Sequence, residues 1–295
     1  MEANWGPIVT AMVTPFDENL EVNYDAAQAL AELLIQTGST GLVVSGTTGE
    51  SPTLTHEEKV TLFREVKNAV GSRAVVLAGT GTYDTDESVR LSQEAERVGV
   101  DGLLLVAPYY NRPSQEGLYQ HFRTIAHAVD LPVMIYNIPG RTGVNVEPAT
   151  LLRLAEINNI VAVKEASGNL NQMSEICAGA PEGFLVYSGD DSLTLPLLAV
   201  GGVGVVSVAS HVVGRDIRRM CDAFFAGQVK EAAKLHHRML PLFKALFCTT
   251  NPVPVKTALN LMGAKVGGVR LPLVEANDRE KEIIRKALSE YGLLG

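Results

Sequence analysis

Cysteine is scarce in this sequence: Cys177, Cys221 and Cys248 are the 3 among 295 residues, odd in number and widely spaced. They suggest neither a disulfide framework nor a CxxC metal motif and are expected to be reduced and structural. No apolar stretch reaches membrane-spanning length, and Met1 to Pro7 lack the basic start and apolar core of a signal peptide. A long basic run is missing too, and 25 basic against 33 acidic residues leave a net charge of −8. Nucleic acid and anionic membranes are therefore poor candidates as partners, and a soluble, cytoplasmic protein is the expectation. What is plentiful is apolar: 46% hydrophobic and 20% charged residues exclude a disordered or fibrous chain and allow a substantial core.

Short apolar runs recur with amphipathic segments between them: Ile8 to Val13, Leu42 to Val44, Val75 to Ala78, Leu103 to Val106, Val133 to Tyr136, Ile160 to Val163, Leu185 to Tyr187 and Val203 to Val208. The helical segments carry their own punctuation. Thr55-His56-Glu57-Glu58 reads as a capping box before a stretch that stops at Gly71, and Ala26 to Ile35 stops at Gly38. Strands that are apolar throughout are buried on both faces, which predicts a parallel sheet covered by helices. Eight such units predict a closed α/β (β/α)8 TIM barrel, over about residues 1–225. From residue 226 to 295 the pattern is helical only, with stretches at Val229 to Lys244, Val255 to Leu261 and Asp278 to Tyr291.

A barrel of this kind builds its active site at the C-terminal ends of its strands, so the residues that close each run carry the chemistry. Strand six closes on Lys164. Taken alone, that lysine reads as a side chain snorkelling from a strand end to water. Period-two alternation puts Lys164 on one face with small Ala162, and Val161, Val163 and Glu165 on the other. If that face is the barrel interior, Lys164 loses hydration, and a neutral amine becomes available to attack a ketone and form an imine. Strand five closes on Tyr136-Asn137-Ile138-Pro139-Gly140-Arg141-Thr142-Gly143, and neighbouring strands lie roughly 4.8 Å apart, so the Tyr136 phenol is the candidate proton shuttle. Arg141 offers a planar fork suited to a carboxylate, its alternative being a surface ion pair. Strand two ends in Ser45-Gly46-Thr47-Thr48-Gly49-Glu50-Ser51, a turn with hydroxyls and N–H groups for an anion; strand four ends in Ala107-Pro108-Tyr109-Tyr110-Asn111, a phenol pair at the rim.

Other polar clusters carry less. Asp190-Asp191 after strand seven reads as a helix cap rather than a cation site. Gly201-Gly202-Val203-Gly204 lacks the flanking strand and helix of a dinucleotide fingerprint, and adjacent His236-His237 face different ways. Neither a metal nor an organic cofactor is expected.

With these motifs in this order, nearly the whole chain resembles the dihydrodipicolinate synthase family, within the pyruvate-dependent class I aldolases that include N-acetylneuraminate lyase. The likeness extends to Ser188-Gly189-Asp190-Asp191 and the helical tail. It implies that pyruvate forms a Schiff base whose enamine attacks L-aspartate 4-semialdehyde, on the diaminopimelate route of lysine biosynthesis. Lys164 matches the imine lysine and Tyr136 the proton donor and acceptor. Thr47 and Tyr110 match the other relay members, the second tyrosine reaching a neighbouring subunit's site, and a homotetramer built as a dimer of dimers is implied. Thr48 and the backbone of Val206 would hold the pyruvate carboxylate and nearby groups, Gly189 would line the pocket, and Arg141 would take the semialdehyde's carboxylate. Gly140 stands where many members have serine.

In lysine-inhibited members of the family, effector contacts come from positions matched here by Ser51, His56, Lys59, Tyr83, Glu87 and Tyr109. Ser51, His56, Glu87 and Tyr109 fit, although His56 also reads simply as a helix-start residue inside the capping box; Lys59 replaces a usual histidine and Tyr83 a usual asparagine. A second cation repels the effector's ammonium, so weak or absent feedback is expected. The competing readings are a lyase of sialic or sugar acids, in which Arg141 in this setting is not expected, and a barrel without catalysis, which would leave Lys164 unmodified by pyruvate and borohydride.

Overall fold

The computed structural model describes residues 3–294; the first two positions of the expected barrel and the last of its tail lie outside the described residues. In chain order the barrel units are β1 (Ile8–Ala11), α1 (Tyr24–Gln36), β2 (Gly41–Val44), α2 (His56–Val70), β3 (Val75–Gly79), α3 (Thr85–Val98), β4 (Gly102–Val106) and α4 (Gln115–His127). They continue as β5 (Val133–Asn137), α5 (Pro139–Thr142), α6 (Pro148–Ala155), β6 (Ile160–Glu165), α7 (Leu170–Gly179), β7 (Leu185–Ser188), α8 (Thr194–Ala199), β8 (Gly204–Ser207) and α9 (Ser210–Phe225). The strands are all parallel and close in sequence order, β8 pairing with β1. This is the (β/α)8 barrel that the apolar runs predict. Three helices follow: α10 (Val229–Ala245), α11 (Val253–Leu261) and α12 (Asp278–Tyr291). Gly227 turns the chain between α9 and α10 at φ 76°, and the division we propose between barrel and C-terminal helices falls there.

Alternation along each strand sorts side chains between two cores. Val43, Leu77, Leu104, Met134, Tyr136, Ala162 and Val206 fill the barrel, while Leu42, Val44, Leu103, Leu105, Ile135, Val163 and Val205 pack under the helices. Leu235, Met239, Leu242, Leu259, Ile284 and Leu288 of the last three helices join that outer core. One expectation is corrected here. Val161 sits with the interior residues rather than with Val163, because β6 bulges against β5: Ile160 pairs with Val133 and Ala162 with Met134, leaving Val161 as the extra residue. From Ala162 onward the period of two holds.

Local signals act as read. Thr55 and Glu58 form both hydrogen bonds of the capping box, and Asn277 with Glu280 repeats the device at α12. The cysteines are free, and burial pushes the Cys221 thiol up to about 12, which keeps it an inert thiol. Among the described residues no helix is long and apolar enough to cross a membrane.

Candidate active site

Strand register sets the centre of the site. Tyr136 on β5 pairs directly with Lys164 on β6, and both side chains enter the barrel. Lys164 Nζ rests 4.1 Å from the Tyr136 ring centroid, and Lys164 is only 4% exposed. Burial, opposed by Asp191 and reinforced by Arg141, pushes its ammonium down to about 7. The snorkelling alternative is thereby set aside. Burial pushes the Tyr136 phenol the other way, up to about 12, against the pull of Arg141 and a hydrogen bond with Thr47. Near neutral pH the site thus holds a lysine far easier to deprotonate than a free one, beside a phenol that keeps its proton.

The turn after β2 is compact. Ser45 and Glu50 bracket it in the left-handed region (φ 58° and 55°), and Ser51 N donates to Gly46 O at 3.2 Å. Thr14 Oγ1 donates to Gly49 O at 2.6 Å, fixing the turn to the chain after β1. Thr47 and Tyr136 share a cavity of about 190 Å3 with Arg141, Ser45, Ser51 and Tyr109. Thr48 is buried beside it in sequence, and its Oγ1 accepts from Asn251 Nδ2 at 2.9 Å.

Arg141 lies in the last turn of the short α5. Among the described residues its side chain makes one hydrogen bond, from Nη2 to Asn251 O at 3.4 Å, and no acid pairs with it, so the surface ion pair is absent. Its fork is free for a carboxylate. Gly189 follows β7, its N–H donating to Glu165 O at 2.8 Å. A Cβ there would sit 2.6 Å from Ala166 Cβ and 3.2 Å from Lys164 Cε, so this glycine gives the lysine its room. Val206 faces the interior of β8 in register with Val9. Tyr110 stands apart from these groups, 91% exposed with φ 74°.

The acidic pair after β7 divides its work in a way the sequence does not announce. Asp190 is the cap, accepting from Ser192 N at 2.8 Å. Asp191 is buried and accepts from Ser207 Oγ, from Val208 N at 3.1 Å and from Ala209 N at 3.0 Å, holding the end of β8 in place. Its charge is the one that opposes the depression of the Lys164 ammonium. Asn251 is the other residue sequence reasoning missed. The proline-flanked run Asn251-Pro252-Val253-Pro254 was its only local signal.

The residues matched to an effector site meet in small groups. His56 bridges Glu87 and Glu94 at 3.1 Å each, Ser45 Oγ donates to Ser51 Oγ at 3.2 Å, and Tyr83 meets Tyr109 edge to face at 5.2 Å. Burial pulls the His56 imidazolium down, but the bonds to Glu94 and Glu87 outweigh it and raise its pKa. Burial lowers the Lys59 ammonium against the attraction of Glu87. Among the described residues no cluster of three His, Cys, Asp or Glu could hold a metal.

The dihydrodipicolinate synthetase family pattern matches residues 4–291. The 4-hydroxy-tetrahydrodipicolinate synthase of Moorella thermoacetica is 64% identical over 290 residues, spanning 98% of this chain and 99% of its own. A dihydrodipicolinate synthase from Bacillus anthracis superposes with a TM-score of 0.95 at 50% identity, over 97% of this chain and 98% of that one. The Cyanidioschyzon merolae enzyme, solved with lysine bound, superposes at 0.97 with 49% identity, over 98% and 99%.

Proposed function

Because this chain belongs to the dihydrodipicolinate synthetase family, we propose that it condenses pyruvate, held as an imine of Lys164, with L-aspartate 4-semialdehyde. This is the 4-hydroxy-tetrahydrodipicolinate synthase reaction, on the diaminopimelate route to lysine. The observation that carries the reading is the buried Lys164 amine, depressed to about 7 and resting on the Tyr136 ring. The neutral amine adds to the C2 carbonyl of pyruvate. Tyr136 then protonates the carbinol hydroxyl, which leaves as water, and the imine forms. Loss of a C3 proton to the Tyr136–Thr47 relay gives the enamine, whose carbon attacks the aldehyde while the aldehyde oxygen takes a proton from the relay. The semialdehyde's amino group then adds to the imine carbon and displaces the Lys164 amine, closing the ring and freeing the lysine.

The remaining roles are those that the family's motifs assign to these positions. Thr47, bonded to the Tyr136 phenol, relays its proton. Thr48 and the Val206 backbone hold the keto acid's carboxylate, Gly189 lines the pocket, and Arg141 takes the carboxylate of the semialdehyde. Tyr110, almost fully exposed on a positive-φ backbone, completes the relay of a neighbouring subunit within a homotetramer arranged as a dimer of dimers. The test is turnover of pyruvate with L-aspartate 4-semialdehyde in the parent and in Arg141→Ala. We expect the variant to lose about tenfold to a hundredfold in kcat/KM for the semialdehyde, as a charged hydrogen bond is removed, while still binding pyruvate. Unchanged semialdehyde turnover would refute the substrate assignment.

Feedback by lysine is expected to be weak or absent. Glu87 already bonds His56 and Arg90 and attracts the Lys59 ammonium, so an incoming ammonium competes with these resident partners for one carboxylate. A titration of activity against lysine should show no half-inhibition below the millimolar range; half-inhibition at sub-millimolar lysine contradicts this.

A further inference from the structure

The strand ends supply one side of the site, and the chain between α10 and α11 supplies another. Asn251 lies there, 6% exposed. It touches two residues given different tasks above: its Nδ2 donates to Thr48 Oγ1 at 2.9 Å, and its main-chain oxygen accepts from Arg141 Nη2 at 3.4 Å. Its Oδ1 is buried without any partner among the described residues. The contact is held from both sides. Five residues on, Lys256 of α11 bonds Glu50 at 2.9 Å and Thr14 O at 2.8 Å, so the 48–50 turn and the 251–256 segment are clamped together.

A threonine hydroxyl has a single proton and accepts through its lone pairs. The Asn251 amide occupies an acceptor direction of Thr48 Oγ1, and among the described residues that hydroxyl makes no other hydrogen bond. Its proton is therefore unspent and directed away from Asn251. We propose that Asn251 is a positioning residue, which holds the Thr48 hydroxyl as a donor toward the carboxylate of the bound keto acid. The inference rests on the reading of Thr48 given above. An amide turned the other way would present Oδ1 to Thr48 and take the proton the substrate needs, so the polarity of this one side chain decides whether Thr48 gives or receives.

Borohydride trapping of pyruvate at Lys164, followed by intact mass across a pyruvate titration, reads the half-saturation directly. Asn251→Asp keeps the shape but can only accept, so it withdraws the Thr48 proton; half-saturation rises about tenfold or more, the scale of a lost charged hydrogen bond. Asn251→Ala merely frees the hydroxyl to rotate, and its rise is smaller. A packing role predicts the reverse order, since alanine loses the side-chain contact and its volume while aspartate preserves the volume. Repeating Asn251→Ala in a Thr48→Val background separates the route from direct effects: with no hydroxyl to orient, the alanine change should leave half-saturation within about twofold. An alanine effect larger than the aspartate effect, or one of undiminished size without the Thr48 hydroxyl, overturns the proposal. Failure of the parent itself to trap pyruvate at Lys164 overturns the functional reading and this proposal with it, whereas trapping with unaltered half-saturation in both variants overturns the proposal alone.

Discussion

Lys164→Met forms no borohydride-stable pyruvate adduct, loses turnover by at least on the order of 10⁴, and resists urea better than its parent at neutral pH. The first two effects follow from removing the amine that makes the bond. The third follows from the same burial that activates it. The folded amine titrates near 7 and the unfolded one near 10.5, so between those values the unfolded chain binds more protons and stability rises with pH. Below about 7 the full cost of holding a charge in the barrel is present; above about 10.5 it has gone. Methionine fills a similar volume without charge, and its gain, on the order of a few kcal/mol near neutrality, should shrink as pH rises through that window.

The same titration appears in the chemistry with the opposite use. Trapping needs the neutral amine, so its initial rate in the parent should climb about tenfold per pH unit below 7 and level off above it. A midpoint near that of a free lysine would mean that Lys164 is hydrated in the working site. An adduct on any other lysine would remove it from the mechanism altogether. Urea midpoints for the parent and Lys164→Met at several pH values supply the stability half of the argument.

Both halves were legible in the chain because they depend on local rules. A parallel strand buried on both faces is a continuous apolar run, so the strands are readable to within a residue or two, as Ile160 to Val163 against the observed Ile160–Glu165 shows. Period-two counting back from Lys164 reaches Ala162 correctly and fails at Val161, where the bulge adds a residue that no alternation pattern signals. Contacts made across the fold leave no such trace. Thr48 and Asn251 are 203 residues apart, and Asp191, just after β7, reaches Ser207 and the backbone of Val208 and Ala209 at the C-terminal end of β8. Nothing in Gly49-Glu50-Ser51 marks Glu50 as 3% exposed either. A glutamate in a turn reads as solvated until the lysine that meets it is located.

That lysine carries the other large effect: Lys256→Met should destabilise the protein by about 3–5 kcal/mol, the scale for stranding one charge of a buried pair. Lys256 and Glu50 are 2% and 1% exposed in their side chains and 2.9 Å apart. The ammonium also bonds Thr14 O and lies 4.1 Å from the Phe16 ring centroid. Removing it leaves Glu50 charged, dry and held in place by its left-handed backbone. Arg270 cannot take over, because its guanidinium is bound by both Glu58 oxygens at 2.7 and 2.8 Å, and only its main-chain N–H reaches Glu50. Methionine conserves volume, so a cavity does not account for the loss. Adding Glu50→Gln to Lys256→Met removes the stranded charge and should restore part of the stability, which a loss due to packing alone would not show. Because Glu50 lies two residues after Thr48, the single variant should also bind pyruvate more weakly, measured by trapping below the urea transition. A Lys256→Met urea midpoint matching the parent would mean that water reaches this pair, and the clamp between the Thr48 turn and the C-terminal region would then have to rest on Asn251 and the Arg270 main-chain N–H.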